Sequence, residues 1–415
     1  MRIKNTLRKQ ILHLIGVLFY LQFISSCNNA ISKTSENALR SESKLVPVIE
    51  LTGDNYNRGL QHGSILKKEI AEVFTKWKMN IRETVKGDPD STLSVFRNST
   101  KFLPIIERTT PELLKEVRGI ADGSGQTFED VYAFQLLDEF WVYLNKQANI
   151  ENHHCSGMGV PATANRPAYI AQNMDLQNYM HNYQVIFHLN ANDIEPEQYL
   201  LSCAGLIGLN GMNANGIGLC VNTLMDLQAS EDGLPVAFMI RAVVGKKIGE
   251  DAINFLQTTK HASGQNYILG IIDSVYNFEA SANQVVRFLP KPGESTIVYH
   301  TNHAIVNHDV KEWYKKSHEQ FLRGETKNKN SEVRYSALEE RLNVDLDSIT
   351  KDMIKATLRS KDNDKNPVCR PFTEKGGAFT FSSVLFTLGG KRSVQFTYGS
   401  PDNSEYQEYF FKTFK

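Results

Sequence analysis

Asn152-His153-His154-Cys155-Ser156-Gly157-Met158-Gly159-Val160 is the stretch at which this chain changes character. Before it, apolar residues recur every three or four positions, the period of a helix face. After it they alternate or run in short blocks, as in strands. Upstream, Tyr56, Leu60, Gly63, Leu66, Ile70, Val73 and Trp77 mark one helical face. Pro111 opens a second helix over 112–121 that stops at Gly123. A third runs over 128–145, rich in aromatics and leucine, and carries Asp138 and Glu139. It frays into the polar run 146–154.

Downstream, 168–173, 184–189 and 199–204 read as strands. The Gly/Asn-rich segment 211–216 reads as the loop of a hairpin between apolar runs 206–209 and 217–222. Helices are expected at 235–244 and 250–258, then strands at 267–272, 275–280, 285–289 and 295–300. Helical periodicity returns at 310–323, 331–342 and 349–358, and strands close the chain at 378–388, 393–398 and 406–414. Two groups of strands around central helices predict a layered protein with two sheets. No glycine-rich phosphate loop and no repeat of about 20–50 residues is present.

The first residues read as a leader. Arg2, Lys4, Arg8 and Lys9 precede an apolar run over 11–24, short for a membrane span. It ends Ile24-Ser25-Ser26-Cys27, which resembles the lipobox of bacterial lipoproteins. The resemblance implies a signal peptide over 1–26, lipid on Cys27 and a protein held at the cell envelope outside the cytoplasm. Residues 27–44 then read as a flexible tether. The whole chain has 46 basic and 46 acidic residues; loss of four basic residues with 1–26 leaves 42 against 46, about −4. Nothing in that balance points to nucleic acid. Of five cysteines, Cys203 and Cys220 lie in apolar runs and read as core, although they flank one hairpin and a bridge is conceivable. No CxxC spacing suggests a metal, and adjacent His153 and His154 cannot readily share one ion.

Cys155 is the candidate nucleophile. A thiol needs a base, and a cut before Cys155 would supply its own α-amine, which titrates near 8 when unperturbed. Asn173 and Asp175 share one face of the following strand, so Asp175 is placed to hold the new ammonium or orient the thiol. Asn302, in Thr301-Asn302-His303, offers an amide donor of the kind an oxyanion needs. Arg370 is a candidate for a carboxylate or for lowering the thiol pKa, whereas Arg334 falls in a helix where a surface ion pair is expected. Read singly, each is equally a turn former, a cap or a surface charge.

Their order resembles the acyl-coenzyme A:6-aminopenicillanic acid acyltransferase family of N-terminal nucleophile hydrolases. Arg58-Gly59-Leu60-Gln61-His62-Gly63, then Gly119 to Gly125 with Phe128-Glu129-Asp130-Val131, are similar to its early helical motifs. Cys155-Ser156, Gln172-Asn173-Met174-Asp175, the hairpin from Gly208 through Asn213 to Leu219, Thr301-Asn302-His303, Arg370 and Thr380-Phe381-Ser382-Ser383-Val384 follow in sequence. The chain departs from the family at His154, where glycine is common, and at Pro371, where histidine is common.

The resemblance implies an α+β four-layer αββα sandwich with an N-terminal helical segment. It also implies self-cleavage between His154 and Cys155. The products would be a helical part within 45–154 and a catalytic part, 155–415, that stay associated. Catalysis would rest on Cys155 with its α-amine, Asp175, Asn302 and Arg370, supported by Asn173 and Asn213, without metal or bound cofactor. The substrate would be a linear amide such as an N-acyl amino acid, a peptide-like conjugate or a fatty amide. Transfer to an amine, a non-catalytic acyl-amide-binding lipoprotein and a papain-like pair of Cys155 with His303 are the competing readings. The strand after Cys155 opposes the last, because papain-type nucleophiles open a helix. A homo-oligomer is compatible with all of them.

Overall fold

The computed structural model describes residues 45–145, 154–290, 296–323 and 330–412. The leader, Cys27 with its lipid and the tether therefore lie outside the described residues, as does His153. Among the described residues no helix is long and apolar enough to cross a membrane.

Two sheets form the middle of the molecule. The first has eight strands in the order β1 (Val48–Leu51), β4 (Gln184–Leu189), β5 (Gln198–Cys203), β6 (Asn210–Asn213), β7 (Ile217–Thr223), β8 (Gln265–Ile271), β9 (Ser274–Ala280), β10 (Val285–Arg287). The second has six: β11 (Val298–His300), β2 (Ser156–Val160), β3 (Tyr169–Gln177), β12 (Ala378–Thr387), β13 (Ser393–Phe396), β14 (Gln407–Phe410). All pairings are antiparallel except β1 with β4. β2 and β3 lie over β7, β8 and β9. Covered on both faces, β2 is buried throughout and β3 over its first seven residues, which explains their apolar runs.

Helices supply the outer layers. Among the described residues seven precede β2: α1 (Asn55–Ile65), α2 (Lys67–Val85), α3 (Pro89–Asn98), α4 (Phe102–Thr109), α5 (Pro111–Ser124), α6 (Phe128–Phe134) and α7 (Leu137–Asn145). α8 (Val236–Val244) packs on β6 and β7, and α9 (Gly249–Thr258) packs beside it. After α10 (Glu312–Leu322), α11 (Asn330–Leu342) covers β11 and α12 (Lys351–Leu358) covers β3 and β12. The expected helix–sheet–sheet–helix layering is thus present. One apolar core fills the space between the sheets and under α1–α8, and a second lies between the six-stranded sheet and α11–α12.

Several expected boundaries move. The helix expected over 128–145 is broken at Gln135. There the side chain donates to Val131 O at 2.8 Å and to Gly205 O at 2.7 Å, and accepts from Ile207 N at 2.9 Å. The helix beginning at Pro111 runs through Gly123 and stops at Gly125, which has φ +74°. The hairpin loop shortens: 211–213 belong to β6, and 206–209 form the connection before it. Asn213 sets the turn, its Oδ1 accepting from Asn215 N at 2.9 Å and Ile217 N at 3.1 Å. Cys203 and Cys220 are buried free thiols on β5 and β7, with β6 between them.

The glycines of the early motifs are contact points. α1 crosses α5 so closely that a Cβ on Gly59 would stand 2.0 Å from Glu116 O, and one on Gly119 2.2 Å from Tyr56 O. Buried charges tie these helices to the rest. Arg58 pairs with Glu195 at 2.6 Å, and Arg241 of α8 binds Glu116 through two bonds of 2.6 and 2.9 Å. Arg241 also donates to Ile207 O at 2.9 Å, and Gly205 N donates to His62 Nε2 at 2.9 Å. Burial and the nearby Arg241 hold His62 down to about 3, so it is the neutral acceptor this bond requires. The N-terminal helices therefore grip the 205–207 loop.

Candidate active site

Cys155 immediately precedes β2 and is 4% exposed. Because Ser156 pairs with Asn173, the thiol comes to lie beside the next residues of β3. Its Sγ is 3.7 Å from Met174 Sδ and 3.8 Å from Asp175 O. Burial, with the Asp175 charge second, pushes the thiol up to about 12, so in the uncut chain it is held protonated. Burial also pushes the Asp175 carboxyl up to about 7, opposed by the Arg370 guanidinium, whose Nε is 3.5 Å from Oδ2. The Thr380 side chain and, more weakly, the Arg334 charge also favour its charged form. Asp175 is therefore a buried carboxylate able to exchange a proton near neutrality beside a thiol that must lose one. His154 Nδ1 lies 3.0 Å from Asn330 Oδ1, across from the peptide bond expected to be cut.

Arg334 corrects the expectation of a surface pair. It is fully buried and forms a hub, donating from Nη1 to Cys155 O at 2.5 Å and Ser156 Oγ at 2.8 Å. Nη2 donates to Asn302 Oδ1 at 2.9 Å, and Nε to Asn330 Oδ1 at 2.9 Å. Burial lowers it to about 10, which leaves it cationic at neutral pH. Its signal lay in its spacing: on α11 the buried residues are Arg334, Leu338 and Leu342, so the arginine sits in the apolar stripe.

Asn302 follows β11 and is oriented at both ends. Arg334 holds its carbonyl, and one Nδ2 hydrogen goes to Thr223 O at 3.0 Å; among the described residues the second has no acceptor. The loop that carries it is anchored by Glu279, a residue the sequence reading passed over. Its carboxylate accepts from His300 Nε2 at 2.8 Å and from the backbone N–H groups of Ile305, Val306 and Asn307 at 2.7, 3.0 and 2.7 Å. Burial alone would raise that carboxyl, but His300 and these donors hold it below its ordinary range.

Cys155 lines a cleft. Asp175 and Thr223 line it together with the thiol, and the rest is mostly apolar, with Leu137, Trp141, Met180, Leu209, Val236 and Ile240 among its walls. α7 adds Asp138, whose Oδ2 accepts from Thr223 Oγ1 at 2.6 Å and Gln265 Nε2 at 2.9 Å.

Other candidates are placed elsewhere. Asn173 donates to Leu358 O at 2.8 Å and Val368 O at 3.0 Å, bracing α12. Asn213 donates to Val244 O and Lys246 O at 2.6 and 2.8 Å, bracing α8. Both are scaffold residues. His303 Nδ1 lies 2.7 Å from Ser331 Oγ, whereas the charged neighbours that shift the Cys155 thiol are Asp175, Arg334 and Asp138.

Comparison with known proteins completes the picture. The chain is 25% identical to protein dcd1A of Dictyostelium discoideum over 234 residues, covering 48% of this chain and 50% of that one. It is 22% identical to protein dcd1B of the same organism over 245 residues, covering 53% and 46%. The chain thus matches about half the length of these relatives. Among solved structures it is similar to a Caenorhabditis elegans ortholog of N-acylethanolamine-hydrolyzing acid amidase. That match has a TM-score of 0.40 and 14% identity, and covers 62% of this chain and all (100%) of that one. It is also similar to penicillin V acylase from Agrobacterium tumefaciens, with a TM-score of 0.34, 15% identity and coverage of 59% and 83%. The family model for acyl-coenzyme A:6-aminopenicillanic acid acyl-transferase matches residues 162–400, beginning just after Cys155 and taking in Asp175, Asn302, Arg334 and Arg370. On that match the chain belongs to the acyl-coenzyme A:6-aminopenicillanic acid acyl-transferase family.

Proposed function

We propose that the protein is a self-processing cysteine amidohydrolase that cleaves linear amides carrying an apolar acyl group. One observation carries the proposal: the Cys155 thiol stands at the start of a central strand, beside buried Asp175, at the floor of an apolar cleft. Family membership supports acyl chemistry.

In processing, Asp175 takes the thiol proton and Cys155 Sγ attacks the His154 carbonyl carbon. The C–N bond breaks, the nitrogen gains a proton, and His154 is left as a thioester on Cys155. Water hydrolyses the thioester, releasing the His154 carboxylate and restoring the thiol. In turnover the new α-amine accepts the thiol proton and delivers it to the departing amine, while the acyl group waits on sulfur until water removes it. The second Nδ2 hydrogen of Asn302 serves the oxyanion, with Arg334 fixing the amide's orientation. The apolar walls favour an acyl chain over a polar group. The lipobox-like Cys27 supports action at a membrane surface. The buried pairs Arg58–Glu195 and Glu116–Arg241, with the β1–β4 pairing, support continued association of the two parts after cleavage.

Purified mature protein incubated with N-dodecanoyl amides tests the reaction. Release of fatty acid and amine is expected, and loss of both in Cys155→Ala. Release that persists in that variant, or product that forms only when an acceptor amine is added, contradicts hydrolysis by Cys155.

A further inference from the structure

The carboxylates of the cleft are unequally matched. Asp175 has Arg370 at 3.5 Å. Among the described residues no basic side chain pairs with Asp138: Thr223 and Gln265 both donate to its Oδ2. Asp138 is half-buried, faces the cleft, and shares it with walls that are largely apolar. No lysine, arginine or histidine is among the described residues that line it. A carboxyl group in such surroundings favours a partner that brings a donor and a positive charge, and opposes a second acidic group. Thr223 also joins Asp138 to the nucleophile. Its hydroxyl donates to Asp138, its carbonyl accepts from Asn302, Asn302 accepts from Arg334, and Arg334 donates to Cys155 O. Asp138 is therefore held in register with the reacting thiol, yet comes from the helical segment before the cleavage site.

We propose that Asp138 is a specificity-determining residue that receives a protonated amine on the substrate, so that the enzyme selects cationic amides and rejects those bearing a free carboxylate. This rests on the cleft around Cys155 being the substrate site. It removes N-acyl amino acids from the expected substrates and retains amides of diamines and related cations. It also gives the N-terminal segment a part in recognition beyond packing.

Three amides of one acyl chain test it: N-dodecanoyl-1,2-diaminoethane, N-dodecanoylpropylamine and N-dodecanoylglycine, compared by kcat/KM on the mature full chain. The cationic amide should exceed the anionic one by about tenfold or more, the scale of a hydrogen bond to a charged group. In Asp138→Asn that ratio should collapse toward one, whatever happens to the absolute rates. Protection of Cys155 from a thiol electrophile reads the same preference without turnover and without a variant: octylammonium should protect and octanoate should not. Equal or reversed rankings in the wild type, equal protection by octanoate, or an unchanged ratio in folded Asp138→Asn would overturn the assignment. Turnover of all three amides without charge preference defeats Asp138 alone. If octylammonium protects while none of the amides is cleaved, Asp138 stands and the hydrolase reading fails.

Discussion

At Cys155 the uncut chain holds a thiol in its least reactive form, protonated by burial and by the adjacent Asp175. In the proposed processing, Asp175 is the base. Its carboxyl is pushed up to about 7, so conversion of uncut to cut chain should rise as pH increases through about 7 and slow at acidic pH. Chain conversion followed by gel across that range checks this, and Asp175→Asn should flatten the profile. The two arginines differ in kind. Arg334 donates in four directions from a fully buried fork, which a lysine ammonium cannot reproduce, so Arg334→Lys should slow processing about 100-fold. Arg370 only approaches Asp175 at 3.5 Å, and Arg370→Lys should slow it about tenfold or less. Rates for the two purified variants decide between them. That Cys155 and Asp175 lie side by side was legible because a strand fixes which neighbours share a face. Arg334 was misjudged because its face shows only when Leu338 and Leu342 are read with it.

Among the elements, the α1–α5 crossing has the least tolerance. Gly59 and Gly119 let two backbones touch, and a Cβ at Gly59 would fall 2.0 Å from a carbonyl oxygen that cannot move without its helix. Gly59→Ala should destabilise the protein by about 3 kcal/mol or more, measured by denaturant unfolding. The sequence displayed these glycines as a motif without their reason, since a helix crossing is a long-range fact. The same limit explains the misplaced hairpin. Gly211 looks like a turn former, but its neighbours on β5 and β7 make it a strand residue. The break at Gln135 was invisible because it is made by groups of the 205–207 loop, about 70 residues away. Strand and helix periodicity survived wherever one face was clearly apolar.

Across the whole molecule, buried charge links the N-terminal helices to the sheets. Glu139 on α7 accepts from Val236 N and Ser263 Oγ, and burial, with Asp138 second, pushes it up to about 7. Its folded pKa is therefore above the unfolded value, so its contribution favours the fold at acidic pH and is lost as pH rises through about 7. Glu139→Gln removes that loss. Its melting temperature should gain on the wild type between about pH 5 and pH 8.5, with up to about 3 kcal/mol at stake. The layered architecture and the order of the family's motifs were readable along the chain, whereas the internal ion pairs that join the N-terminal helices to the sheets were not, because their partners lie far apart in sequence. The most direct measurement is the intact mass of the purified mature protein under denaturing conditions. Two chains divided between His154 and Cys155, with Cys155→Ala remaining whole, is the predicted result. A single uncut chain whose Cys155 fails to react with a thiol electrophile would contradict the account.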